Sequence, residues 1–559
     1  LFDRDTEQAA TVSARVLREI LREHQDSEYG LRYDFRSIER VEDYTSRVPL
    51  ITYAEIEELV SRMAKGEKNV LSSAEVDHFM LTSGTSRAPK LIPTNRIERK
   101  RRIPFYAFLP QGTLARALGT DVLFGRGMNG MSIASNDRQT EAGTRISSSL
   151  RIGLAEHTWL MQRLWVSPVA VYQVADVEAA YYLHWLFALA DRDLVYVSDE
   201  FASKMTYALN VLLSEWPSLV EDLRSGRLRD DLKLEPQLRR EIEAHLQRNP
   251  RRAAEVQAAF QATPDGEGLL PRLWPKLRYV ACIYTGTFQV YEDRVRRFAG
   301  HLPVFNVAYG SSEACIATAL GPNDPRYVVY PRAGFLEFIR ERDIPKPNPR
   351  TYLLDELEVG ESYEIVATNF AGLYRYRTAD VVRVVDFCRS APVIEFQYRA
   401  NVLMNLNAEM MTENAAYEAL RRAAQRVPCQ LVDHTIRPDT EVFPPRYAFY
   451  VEVDGSLDPV SHDALDAALD SELRNVNPRY EDRIDRGRLQ RSVLKLVDPG
   501  AFQSLQLRIA EDAREHGISA VQTKVPRLLT HGPYVKLLET RARMPTGRPP
   551  CAQIDRASA

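Results

Sequence analysis

The sequence predicts an α/β protein: a large N-terminal domain of mixed β-sheets flanked by helices, followed by a smaller α+β domain. Three observations lead there. The chain has 559 residues, more than one hydrophobic core usually supports. Between about residues 70 and 400, short β-rich runs at 280–284, 304–308 and 381–385 alternate with helical stretches at 177–190 and 202–216, the pattern of layered α/β architecture. After Arg399 the pattern restarts with its own helices and strands, leaving roughly 160 residues for a separate domain.

Taken in order, residues 6–24 place Ala9, Val12, Val16, Leu17, Ile20 and Leu21 at near-helical spacing and predict an amphipathic helix. The apolar run 179–190 includes His184 and falls short of the ~20 residues that span a bilayer, so no transmembrane helix is expected. The Arg- and Ala-rich stretch 227–262 reads as solvated helix without a function. A helix at 412–426, a strand at 447–453 and a helix at 459–476 make up the second domain's opening. The tail 541–559 holds four Arg, one Asp and three Pro with little apolar content, and is expected to be poorly ordered.

Composition narrows the function classes. Apolar residues make up 45% and charged residues 27% of the chain, which excludes a largely disordered protein. Seventy-three basic against 76 acidic side chains leave a formal charge of -3, too balanced for a nucleic-acid or anionic-membrane binder. Small molecules or proteins are the expected partners. The opening LFDRDTEQ carries charge rather than an apolar segment, so no secretory signal is visible and a cytoplasmic protein is expected. Cys282, Cys315, Cys388, Cys429 and Cys551 are odd in number and form no CxxC pair, the pattern of reduced thiols.

Several motifs mislead. Residues 125–130 match GxGxxG, but the polar stretch MSIASNDRQTEAG follows in place of the helix that would hold a pyrophosphate. The ten His residues include no HExxH. Ser311 and Ser312 lie in YGSSE rather than GxSxG, which argues against a hydrolase nucleophile elbow.

The segment 81–90, LTSGTSRAPK, packs four hydroxyls, Gly84 and Lys90 into ten residues after Phe79 and Met80. Hydroxyls and backbone N–H groups donate to phosphate oxygens, glycine permits close approach, and lysine supplies a compact charge. An ordinary Ser/Thr turn with a surface lysine has the same composition. Only 11 Lys stand against 62 Arg in this chain, which makes a lysine at this point more telling.

TSGTSRAPK resembles the phosphate-binding signature of the adenylate-forming superfamily, and five further matches follow in that superfamily's order. Tyr284-Thr285-Gly286-Thr287 resembles the adenine-side loop, and Tyr309-Gly310-Ser311-Ser312-Glu313 the aromatic-Gly-x-Ser/Thr-Glu motif. Tyr376 to Asp380, YRTAD, resembles the ribose motif, Arg399-Ala400-Asn401 the interdomain hinge, and Gln522-Thr523-Lys524 the C-terminal lysine segment. Within the superfamily the chain is similar to the Gretchen Hagen acyl-acid amido synthetases. The likeness is carried by VPLITYAEIEELVSRMAKGE, SPVAVYQVADVEAAYYLHWLFAL, PRLWPKLRYVACIYTG, GLYRYRTADVVRV and VQTKVPRLL, spread over residues 5–540.

The resemblance implies a large domain 1–398 that binds ATP and a carboxylic acid, a hinge 399–401, and a small mobile domain 402–540. It implies ATP and Mg2+ as cofactors and a small carboxylic acid and an amine, such as an amino acid, as substrates; the charge balance and the short apolar run leave no nucleic-acid or membrane partner expected. Nucleotide binding is implied for Ser83, Gly84, Thr85, Ser86, Thr285, Gly286, Tyr309, Gly310, Ser311, Ser312, Asp380 and Arg399, with Tyr309 against adenine and Asp380 on the ribose hydroxyls. A structural salt bridge is the other role open to Arg399. Glu313 is implied to hold Mg2+, and Lys90 and Lys524 to neutralise charge during acid activation. Arg87 and Ala88 replace glycine in the phosphate loop, Ala379 replaces a frequent Gly before Asp380, and Met410 stands near a position often occupied by Lys. The acid pocket is implied around 100–165 and parts of 280–335. No acid ligand is assigned there, Arg102, Arg145 and Arg163 being read as solvated side chains. Transfer of the acyl group to a thiol, or nucleotide binding without turnover, are the alternatives to an amide product.

Overall fold

The computed structural model describes residues 2–81, 90–131, 133, 138–147, 158–400, 404, 406, 407, 409, 411–515 and 524–543. The chain forms two compact units, Leu1–Asn401 with Ile509–Lys524 in one and Val402–Arg508 with Val525–Ala559 in the other. Lys524 falls in the first unit, and its ammonium lies 5.5 Å from the Phe288 ring centroid, a distance at which a cation is attracted to an aromatic face.

In the large unit the expected opening helix appears as Phe2–Glu7 and Ala9–His24. Val12, Val16, Leu17, Ile20 and Leu21 are buried along one stripe of the second helix, as their spacing requires. A four-stranded parallel sheet runs in the order Gly127–Asn129, Tyr196–Phe201, Tyr279–Ile283, Val304–Phe305. Parallel neighbours need crossovers, which the chain supplies as helices Val177–Ala190, Ala202–Ser225 and Glu292–Ala299. The first of these is buried on nearly all sides, so its long apolar run is core rather than membrane span. Gly125 and Gly127 of the GxGxxG match lie against Val195 and Tyr196, and Gly127 is a strand residue rather than part of a phosphate turn.

An eight-stranded antiparallel sheet completes the unit's frame, in the order Thr351–Tyr352, Phe335–Arg340, Ser362–Thr368, Tyr376–Cys388, Ala391–Arg399, Tyr327–Val329, Cys315–Ala319, Ala308–Gly310. The expected strand at 304–308 is divided: Val304–Phe305 closes the parallel sheet and Ala308–Gly310 opens the antiparallel one. A third sheet pairs Val76–Leu81 with Leu91–Asn95, the two strands that flank the phosphate-loop sequence.

In the small unit, helices Glu413–Gln425 and Pro459–Val476 pack together, burying Ala416, Ala419, Leu420 and Ala423 with Leu465, Leu469 and Leu473. Phe449, Val451, Leu494 and Leu496 join the same core from a sheet ordered Leu431–Asp439, Arg446–Val453, Val493–Val497, Ala542–Arg543. That last strand corrects the expectation of poor order from 541 onward. Ala542 and Arg543 pair with Val497 and Leu496, and edge pairing through backbone groups does not require apolar side chains. The remainder of the tail, 544–559, lies outside the described residues.

Candidate active site

The crevice beyond the carboxyl ends of parallel strands is where α/β sheets bind ligands. The expected adenine loop sits there. Strand Tyr279–Ile283 ends at Ile283, and Tyr284 leads directly into Thr285 and Gly286. Gly286 has φ +62°, and a Cβ on it would stand 2.7 Å from Phe396 Cδ1, so glycine is needed both for the turn and for the close packing. Phe396 in turn meets the Tyr309 ring edge-on at 5.9 Å. Thr285 Oγ1 is hydrogen-bonded to Tyr327 OH at 2.7 Å, and the Tyr327 ring lies 5.7 Å from that of Tyr309.

Tyr309 donates its hydroxyl to Asp380 Oδ2 at 2.8 Å. Arg399 Nε donates to the other oxygen, Oδ1, at 2.6 Å. Burial pushes the Tyr309 phenol well above its ordinary pKa, with the Asp380 charge adding to the effect. The Asp380 carboxylate raises the Arg399 pKa further and holds it charged. Residues from three separate motifs therefore meet at one carboxylate, and Arg399 makes the structural salt bridge that was open to it. Just before it, Ala379 occupies the left-handed region at φ +64°, a conformation costing a non-glycine residue roughly 1–2 kcal/mol. Glu364, on the neighbouring strand, accepts the Ala379 N–H at 3.3 Å while pairing with Arg377.

The Ser311–Glu313 turn follows Tyr309 and Gly310. Ser311 Oγ accepts the N–H groups of Glu313 and Ala314, each at 3.2 Å, and Ser311 N–H donates to Ala314 O at 2.7 Å. A Cβ on Gly310 would stand 2.5 Å from Tyr106 OH, so Tyr106 packs against the turn. The Glu313 charge, after burial, raises the pKa of Tyr376, which also feels Tyr53 and Arg399. Lys90 stands 5.3 Å over the Tyr53 ring, so Lys90, Tyr53, Tyr376 and Glu313 form a continuous neighbourhood. Lys524 lies over Phe288, three residues beyond Thr285. Ser83, Gly84, Thr85, Ser86, Arg87 and Ala88 of the phosphate loop lie outside the described residues, as do Asn401 and Met410.

Arg102, expected to be a solvated side chain, is 5% exposed. It binds Glu98 Oε1 and the carbonyls of Ser311 and Ser312. Asn369 takes the carbonyl of Glu313 at 2.7 Å. Neither side chain was singled out for this turn from sequence. The Glu98/Arg102 spacing of four was the available signal, but it does not distinguish a buried pair from a surface one.

The GH3 family N-terminal domain matches residues 1–304, its central domain 327–399 and its C-terminal domain 414–533. The chain belongs to the GH3 family. A probable indole-3-acetic acid-amido synthetase of Arabidopsis thaliana, GH3.1, is 28% identical over 96% of this chain and 92% of its own length. The jasmonoyl–L-amino acid synthetase JAR4 of Nicotiana attenuata is 29% identical over 81% of each. The solved GH3.15 acyl acid amido synthetase superposes with a TM-score of 0.85 at 25% identity, covering 96% of this chain and 95% of that one. The mixed α/β architecture with a large N-terminal and a smaller C-terminal part is thus that of GH3 proteins. The three relatives are named a probable indole-3-acetic acid-amido synthetase, a jasmonoyl–L-amino acid synthetase and an acyl acid amido synthetase; Asp380 and Arg399 fall within the central GH3 match, and Tyr309 lies between the N-terminal and central matches.

Proposed function

We propose that this chain is an ATP-dependent acyl-acid amido synthetase, a ligase that joins a carboxylic acid to the amine of an amino acid through an acyl-adenylate. The observation that carries the reading is the Asp380 carboxylate, fixed between Tyr309 and Arg399 beside the Gly286 loop, in a GH3 chain.

A carboxylate has two oxygens and about four acceptor directions. Tyr309 uses one on Oδ2 and Arg399 one on Oδ1, so each oxygen retains a direction for a ribose hydroxyl. Tyr309 and the Thr285–Gly286 loop are assigned to adenine, and Gly310, Ser311 and Ser312 to the phosphate side, with Ser83, Gly84, Thr85 and Ser86 in the loop before Lys90.

Attack of an acid on the α-phosphate of ATP brings two anions together, so the protein's task is alignment and charge neutralisation. Lys90 and Lys524 are the cations assigned to it. Pyrophosphate leaves, the acid becomes a mixed anhydride, and the neutral amine attacks the acyl carbon with release of AMP. Glu313 is the residue that would hold Mg2+. The donor set suits that ion, which is commonly bound through one or two carboxylates together with substrate phosphates and water, and when bound it offsets phosphate charge. Residues 399–401 are assigned as the hinge between domains 1–398 and 402–540. Cys282, Cys315, Cys388 and Cys429 are free thiols, which supports a reducing compartment such as the cytoplasm. No helix among the described residues is long and apolar enough to cross a membrane.

The test is acid-dependent exchange of pyrophosphate into ATP across aromatic, fatty and hormone-like acids, followed by mass analysis of the product with amino acids present. Exchange with at least one acid and an amide product are expected. ATP binding without exchange for any acid, or a product that forms only with a thiol, would overturn the reading.

A further inference from the structure

Three consecutive carbonyls of the Ser311–Glu313 turn are taken by side chains from the body of the large unit. Ser311 O accepts from Arg102 Nη1 at 3.2 Å, Ser312 O from Arg102 Nη2 at 2.8 Å, and Glu313 O from Asn369 Nδ2 at 2.7 Å. Arg102 is anchored in turn, since its Nε donates to Glu98 Oε1 at 3.0 Å. Glu98 Oε2 accepts the N–H of Phe370 at 3.2 Å. Asn95 caps the same helix, Arg96–Ile103, by accepting the Glu98 N–H at 2.9 Å, and donates to Phe370 O at 2.6 Å. Asn95, Glu98 and Arg102 are spaced by three and four residues, so they lie on one helix face, and all three are buried.

This arrangement fixes the polarity of the turn. A trans peptide is planar, with its N–H opposite its C=O. Holding the Ser311 and Ser312 carbonyls against Arg102 therefore directs the N–H groups of Ser312 and Glu313 to the opposite side. The Glu313 N–H is occupied by Ser311 Oγ, which leaves the Ser312 N–H as the donor aimed away from the helix. With the guanidinium removed, the two carbonyl dipoles would be free to turn toward an approaching phosphate and repel it.

We propose that Arg102, held by Glu98, is a positioning residue that presents the Ser311–Glu313 turn to the ATP phosphates with its carbonyls withdrawn. The proposal rests on the adenylating reading above. It assigns Arg102 no contact with substrate: the side chain acts through the turn.

Removing one member of a buried ion pair leaves the other uncompensated, whereas replacing both with neutral groups of similar size is tolerated far better. The main variant is therefore Arg102→Met combined with Glu98→Gln, accompanied by Arg102→Ala with Glu98 intact. Pyrophosphate exchange is measured over ranges of ATP and acid, with ATP binding and the thermal midpoint followed in parallel. The double variant is expected to fold, to lose about 10- to 100-fold in the maximal exchange rate, the scale of a small misplacement of reacting groups, and to keep its KM for the acid within about twofold. Millimolar guanidinium chloride is expected to restore part of the activity of Arg102→Ala. The thermal midpoint with and without the salt separates restored positioning from restored stability, because an ion bound beside Glu98 also stabilises the native state.

A folded double variant exchanging at the wild-type rate would overturn the proposal, as would a loss that follows the unfolded fraction and is not relieved by guanidinium. If the wild type binds ATP but exchanges with no acid, the adenylating reading falls, and Arg102 is then judged on ATP affinity. Unchanged affinity in the folded double variant would dispose of the positioning role as well.

Discussion

Arg399 and Asp380 stand opposite one another across two paired antiparallel strands, and Arg399 Nε donates to Asp380 Oδ1 at 2.6 Å. Arg399 is also the last residue of the strand Ala391–Arg399, two residues before the boundary of the large unit. The carboxylate assigned to ribose is thus bonded to the end of the strand that leads out of the unit.

Asp380→Ala is expected to raise the KM for ATP by at least ~10-fold, because two charge-assisted hydrogen bonds to ribose, each worth about 1.5–3 kcal/mol, are lost. Asp380→Asn keeps the shape and an acceptor for Tyr309 while removing the charge that faces Arg399, and should give a smaller rise. Steady-state kinetics with ATP as the varied substrate checks this. An unchanged KM in folded Asp380→Ala would remove the residue from the nucleotide site.

Lys524→Ala is expected to leave ATP affinity and the fold nearly intact while slowing adenylation by ~10- to 1000-fold, as for a lost charge stabiliser in a transition state. Amide formation from a chemically supplied acyl-adenylate should be affected much less, because the phosphate charge has by then been dealt with. Equal losses in both half-reactions would contradict a role confined to adenylation.

His24 couples stability to pH. Its Nε2 donates to Phe370 O at 2.9 Å and its Nδ1 accepts the Ser73 N–H at 3.2 Å, a pattern that requires the neutral ring. Burial lowers its pKa from 6.5 to about 4. Below pH 6.5 the unfolded chain therefore binds a proton that the fold does not, so this contribution is complete above about 6.5 and is lost as pH falls toward 4. The slope is up to about 1.4 kcal/mol per pH unit. Urea midpoints at pH 5 and 7 should differ less in His24→Gln than in the wild type; the same difference in both proteins would mean that His24 is charged in the fold.

Regular elements were legible wherever local pattern governs. The helices Val177–Ala190 and Pro459–Val476 fall on the residues expected, because a capping Asp and the apolar content of the following turns act locally. Strand Val304–Phe305 and the pairing of Ala542–Arg543 were not resolved in this way, since a strand is defined by partners distant in the chain.

The sequence by itself determined which candidate groups the chain carries: the hydroxyl-rich loop with Lys90, the Tyr309–Glu313 segment, Asp380 and Arg399, all recognisable as short motifs. Only the tertiary structure decided how they act on one another. Tyr309, Asp380 and Arg399 meet because Tyr376–Cys388 pairs with Ala391–Arg399, and because Ala308–Gly310 lies in the same sheet. Arg102 shows the limit most clearly. As one of 62 arginines, with a Glu four residues before it, it is not told apart in sequence from one of a surface pair; its two carbonyl partners come from a segment more than 200 residues away. Desolvation depends on what covers a side chain, and that is a property of packing rather than of local sequence.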